Sequence, residues 1–204
     1  MAVDPLPRAG VLNVPGASIA EIARQAPVFR PLLIEQLKAR RPSLMNGEAD
    51  FTESLPVFGD PPVTASAPGS LAIQAYLDRA EWLQQSADPS AFAPYLKTAP
   101  LTAAGPRPVL VQMAVGDRTV PNPTTEQIIR AGDLQALLSI YRHDTVAATL
   151  PPRFANPHGF ITWTGFAEVA AIARAAQEQI ARFFLSDGRS IERTDPRFDV
   201  PASR

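Results

Sequence analysis

The chain predicts an α/β domain built on a parallel sheet. Three observations carry that class. Two apolar runs, residues 9–14 (AGVLNV) and 107–115 (RPVLVQMAV), each end in a turn signal. Helical periodicity fills the chain between and after them. The resulting order is strand, helical insertion, strand, helix, strand, helix, which places parallel strands between covering helices.

Residues 9–14 read as a short buried strand closed by Pro15-Gly16. Residues 18–26 and 31–41 follow as helices, the second with Leu32, Leu33, Gln36 and Leu37 at helical spacing and basic residues at its end. Residues 51–70 are rich in proline and glycine and read as irregular. Residues 71–85 predict a helix capped by Ser70, with Leu71, Ala75, Leu77, Ala80 and Leu83 on one face.

Residues 107–115 are apolar enough for a strand covered on both faces. Asn122 and Pro123 open a helix that Gly132 closes. Residues 136–142 (ALLSIYR) predict the third strand. Residues 165–185 predict the last helix, with Phe166, Val169, Ala173, Ala176, Ile180 and Phe183 on one face and Asp187-Gly188 as its stop. From Ser190 onward the chain is polar, and residues 190–204 are expected to be loosely held.

Composition narrows the function. With 204 residues, 46% hydrophobic and 19% charged, the chain can bury one sizeable core. A net charge of −1 carries no electrostatic footprint for nucleic acid. No apolar run reaches the roughly 20 residues of a membrane-spanning helix. Cysteine is absent, which excludes disulfides, thiol catalysis and Cys-bound metal. The two histidines, His143 and His158, have no metal-ligand spacing with carboxylates.

In open α/β sheets the chemistry gathers at the carboxyl ends of strands. Asp117, in VGDRTVP, sits at the end of the second strand, and His158, in NPHGF, lies in the loop after the third. An acid followed by a histidine on neighbouring strand ends suits the base half of a nucleophilic triad. The carboxylate fixes the imidazole tautomer, and the other ring nitrogen takes the nucleophile's proton. Their separation of 41 residues leaves room for one helix and one strand. The bland alternatives are a turn residue for Asp117 and a helix cap for His158. The neighbouring pair His143 and Asp144 is a poorer dyad, because adjacent strand side chains point to opposite faces. Phe160, Trp163 and Phe166 read as core.

Four segments in order, LNVPGAS, AEWLQQSADPSAFAPYL, VLVQMAVGDRTVPNPTTEQIIRAG and PHGF, resemble the C-terminal half of bacterial α/β-hydrolase lipases and esterases. The resemblance is greatest to those described as virulence-factor lipases and covers residues 8–185. It implies a partial α/β-hydrolase fold, residues 1–204 as one incomplete domain, and residues 17–105 as a helical cap. Phe29, Leu32, Leu33, Phe51, Phe58, Tyr76 and Trp82 could line an acyl pocket beneath that cap. It further implies carboxylic-ester hydrolysis without a cofactor on a small-molecule or lipid ester, with Asp117 as triad acid and His158 as base. Members are often exported or envelope-associated.

The family's G-x-S-x-G serine elbow has no counterpart here. Gly16-Ala17-Ser18 lacks the second glycine, and Ser70 follows no predicted strand. The elbow, the early strands and the oxyanion donors are expected upstream of Met1. The chain is then expected to be inactive alone, as a truncated or mis-started hydrolase or as half of a two-chain enzyme. The alternative is a non-catalytic binding module that kept this half of the fold.

Overall fold

The computed structural model describes residues 2–4, 6–57, 63–65, 67–97, 101 and 105–201. Its centre is a mostly parallel four-stranded sheet. Strand β1 (Gly10–Asn13) pairs in parallel with β4 (Val109–Ala114), and β4 pairs in parallel with β5 (Leu138–Tyr141). A short strand β6 (Phe198–Asp199) closes the far edge antiparallel to β5. Between β1 and β4 lie helices α1 (Ile19–Gln25), α2 (Arg30–Lys38), α3 (Ser70–Gln84), α4 (Pro89–Phe92) and α5 (Pro94–Lys97). A small antiparallel hairpin, β2 (Leu55–Val57) with β3 (Val63–Ala65), interrupts them. Helix α6 (Asn122–Gly132) follows β4, and α7 (Ala170–Leu185) precedes β6.

All of β4 is buried, and its alternation divides the core. Val109, Val111 and Met113 face one way and pack with Ile128, Ile129 and Leu134. Ala114 faces the other way, into an aromatic cluster of Tyr141, Phe154, Phe160, Trp163 and Phe198 closed by α7. Gln112 shares that second face and is fully buried. Its Oε1 accepts from Asn13 Nδ2 at 2.9 Å, and its Nε2 donates to Ala176 O and to Gln179 Oε1. Gln179 Nε2 in turn donates to Glu192 O. A polar ladder therefore crosses from β1 through the sheet to the C-terminal segment, each buried group satisfied as burial requires.

Several expectations change. The segment after Ser190 is packed through residue 201, because Phe198 is buried and Arg142 reaches Asp199; residues 202–204 lie outside the described part. The irregular stretch 51–70 contains the hairpin. Helix α3 buries Ile73 and Leu77, whereas Leu71 and Leu83 of the expected face are exposed. Gly69, not Ser70, is its cap, with φ of 77°, and Ser70 Oγ lies in the helix against Ser54 Oγ. The last helix is divided. Residues 157–165 form a run of 3₁₀ turns kinked at Gly159 and Trp163, and α7 starts only at Ala170, leaving Phe166 partly exposed.

The insertion has its own core of Leu33, Leu37, Phe51, Ile73 and Leu77. Tyr76 packs beside it beneath the Arg40 guanidinium, 4.5 Å from the ring centre. Leu32 and Trp82 face solvent, Phe29 is half-buried, and Phe58 lies outside the described residues. Of the six described residues expected to line one pocket, Leu33, Phe51 and Tyr76 pack in the insertion's own core, while Leu32 and Trp82 point away from it. Leu33 and Phe51 are needed to fold the insertion itself.

Candidate active site

The turn after β4 presents Asp117. Gly116 adopts φ of 80°, in the left-handed region that favours glycine, and this turns the chain sharply at the strand end. Asn122 secures the turn from below. Its Oδ1 accepts from Gly116 N at 2.8 Å, and its Nδ2 donates to Ala114 O at 2.7 Å. Asn122 is thus the first residue of α6 rather than its cap, and its side chain serves the turn. Asp117 Oδ1 accepts from Thr119 N and Val120 N, both at 2.8 Å.

Asp117 Oδ2 faces His158 Nδ1 at 2.8 Å. The Asp117 side chain is 1% exposed and the His158 side chain 33% exposed. With one oxygen held by two backbone amides, the other is left to accept from Nδ1–H. That contact fixes the tautomer in which Nε2 is a bare acceptor. Nε2 makes no hydrogen bond among the described residues. The arrangement is a buried carboxylate orienting a partly exposed imidazole.

His158 is the second residue of the 3₁₀ run, and Phe160 and Trp163 of the same run are buried in the aromatic cluster. The ring of Phe160 lies 5.1 Å from that of Tyr141 on β5. Packing two and five residues downstream thus anchors the histidine to the sheet.

The strand-end turn of β1 abuts the same loop. Val14 has φ of 43° and Ser18 φ of 57°, both unfavourable for residues with a Cβ. A Cβ on Gly16 would stand 2.4 Å from Val120 Cγ1, so only glycine allows the two turns this close approach. Ser18 Oγ is committed elsewhere: it accepts from Glu21 N as the cap of α1 and donates to Glu81 Oε2 at 2.9 Å. Neither Ser18 nor Ser70 bonds His158.

His143 belongs to a different environment. It is 3% exposed, its Nδ1 lies 3.1 Å from Tyr141 Oη, and its Nε2 is buried without a partner. Asp144 pairs with Arg142 instead. The pair starts a 3₁₀ turn rather than ending a strand, so the two side chains separate for that reason. Burial lowers the His143 pKa below 6.5, and the Asp144 charge opposes this. The unfolded chain binds this proton more readily, so the contribution of His143 to stability is present above about pH 6.5 and lost as pH falls through the lower folded value. Thermal melts from pH 7 to 5 should show wild type losing stability faster than His143→Phe, the difference bounded by the one-proton limit of about 1.4 kcal/mol per pH unit. Parallel curves would show that His143 does not titrate with folding. His158 is present in both proteins and cancels.

An apolar cleft of about 320 Å³ lies beside β1, lined by Leu12, Pro15, Gly16, Phe92, Leu96 and Ile128. β1 itself is half-buried along its length and pairs only with β4 among the described residues. No helix of the described residues is long and apolar enough to cross a membrane.

Asn156 is the site residue that sequence reasoning passed over. Its own signal was present, an Asn before Pro at a helix start, but its partners are 37 and 38 residues away in sequence. No protein-family model matches the chain, and no curated protein or solved structure matches it. The α/β class with a mostly parallel sheet stands on the strand pairing alone.

Proposed function

We propose that this chain supplies the acid and base of a serine carboxylic-ester hydrolase of the α/β-hydrolase kind, and that the nucleophile comes from a segment outside these 204 residues. The observation that carries the reading is the Asp117–His158 contact of 2.8 Å at a strand end, with Nε2 unpartnered among the described residues. The half-exposed outer edge of β1 and its apolar cleft support a further strand and helix packing on that side. The resemblance of the VGDRTVPNP and PHGF segments supports the reaction class.

In that reaction the serine Oγ–H proton passes to His158 Nε2 as Oγ bonds to the ester carbonyl carbon. The carbonyl electron pair moves onto oxygen, where donors outside this pair stabilise it. The intermediate collapses by breaking the bond to the alkoxy oxygen, which takes the proton from Nε2. Water then repeats the sequence on the acyl-enzyme, regenerating serine and releasing the acid. Throughout, Asp117 stabilises the imidazolium without taking its proton.

Alone, the 204-residue chain should show no labelling by a fluorophosphonate probe and no ester hydrolysis above background. Fusing the in-frame upstream coding segment that carries an elbow serine should restore both. Labelling of the bare chain would mean that one of its own serines is the nucleophile. A folded, unreactive fusion would instead favour a binding module.

A further inference from the structure

The Asn156 side chain makes three hydrogen bonds, and together they join the two loops that carry the proposed acid and base. Its Oδ1 accepts from Arg118 N at 3.1 Å and from His158 N at 3.3 Å. Its Nδ2 donates to Thr119 Oγ1 at 2.9 Å. The Thr119 backbone amide in turn donates to Asp117 Oδ1, and Arg118 lies between them. Asn156 is also the N-cap of the 3₁₀ run whose second residue is His158. One amide side chain therefore contacts the residue after the acid, the next residue along, and the backbone of the base.

From this geometry we infer that Asn156 is a positioning residue that sets the Asp117–His158 distance by clamping the acid loop to the base loop. The inference rests on the acid–base reading of those two residues.

The logic is one of independent supports. Each loop is held separately: the acid turn by Asn122 and Gly116, the base run by Phe160 and Trp163 in the core. Those supports fix each loop against the sheet, and neither fixes one loop against the other. Apart from the dyad contact itself, the hydrogen bonds between the two loops among the described residues all run through Asn156. A side chain with both an acceptor and a donor is needed, because the partners are two backbone N–H groups on one side and a hydroxyl oxygen on the other. Asparagine meets that requirement at short reach. Aspartate keeps the acceptor and loses the donor, and alanine loses both.

The chain contains two histidines, so the imidazole nitrogens and their protons can be assigned without crowding. The test is nitrogen-detected NMR of the full 204-residue chain, following the His158 Nδ1–H proton, its exchange with water, and the ring tautomer. Wild type should show one Nδ1–H tautomer at His158. Asn156→Ala should accelerate exchange of that proton by about tenfold or more, as the hydrogen bonds joining the loops are lost, and should mix the tautomers. His143 signals should stay unchanged, which separates a positioning effect from general loosening.

Thr119→Val, which removes one acceptor, and Asn156→Asp, which retains the two backbone contacts, should each give smaller changes in the same direction. They keep the inference open to refutation if the alanine variant does not fold. Asp117→Asn serves as the reference and should remove the Nδ1–H signal altogether. If Asp117→Asn leaves that signal in place, the acid–base reading fails. If Asp117→Asn removes it while Asn156→Ala and Thr119→Val both keep wild-type exchange and tautomer, the reading survives and the clamp is wrong.

Discussion

On the proposed hydrolase reading, in a fusion that supplies the elbow serine, His158→Ala should lower kcat for a short-chain ester by about 10⁴-fold or more, with KM little changed. The effect is large because Nε2 is the only proton acceptor that the dyad offers to the nucleophile. Asp117→Asn should approach the same loss by another route. With the Asn oxygen kept on the Thr119 and Val120 amides, its Nδ2–H faces His158 Nδ1 and selects the Nε2–H tautomer. The histidine then points its own proton at the serine. Asp117→Asn also weakens acceptance from Thr119 N and Val120 N, the two bonds that shape the turn. Combining the two substitutions should therefore cost scarcely more than His158→Ala alone, since both disable one device. Multiplicative losses, or a His158→Ala variant that retains even a tenth of wild-type turnover, would mean the dyad is not the base.

Much of this site was legible in the sequence because its signals are local. VGDRTVPNP announces a strand end, a left-handed glycine and a helix start within nine residues. The acid is fixed by its own turn: the amides it binds are two and three residues ahead. PHGF likewise announces a turn followed by a core aromatic. The fold class was legible for the same reason, since apolar runs of strand length with helices between them leave few alternatives to a parallel sheet.

What stayed hidden depends on contacts between distant segments. Strand β6 is two residues long, and its existence depends on Phe198 reaching the aromatic cluster. Helix α3 contains apolar residues on more than one side. The insertion's core selects Ile73 and Leu77, whereas the stripe chosen from periodicity shares only Leu77 with it. The break between Gly165 and Ala170 has no proline to mark it. It follows from Trp163 turning inward against Phe154, with ring centres 5.0 Å apart. Gln112 was absorbed into an apolar run, though its place in that run is defined by Asn13, Ala176 and Gln179, none of them near in sequence.

The aromatic cluster beneath the base supplies the largest expected stability effect. Phe160 is fully buried between Tyr141 on β5 and Phe198 on β6, with ring centres at 5.1 and 6.0 Å. Truncating it to alanine removes a whole ring from a closed site and should cost about 3–5 kcal/mol. Domains of this size have roughly 5–15 kcal/mol in total, so the variant should be marginal at physiological temperature. Phe160→Leu keeps much of the volume and should cost less than half as much. Phe166, on the same aromatic chain but 44% exposed, provides the control. Its alanine variant loses little buried area and should cost about 1 kcal/mol or less. Denaturant unfolding of the three variants orders them directly. Because Phe160 is two residues beyond His158, its loss should also release the base run from the sheet, and Phe160→Leu should retain more of the His158 Nδ1–H signal than Phe160→Ala. If Phe160→Ala proves no more costly than Phe166→Ala, Phe160 does not anchor the 3₁₀ run, which is then held by Trp163 and the Asn156 contacts.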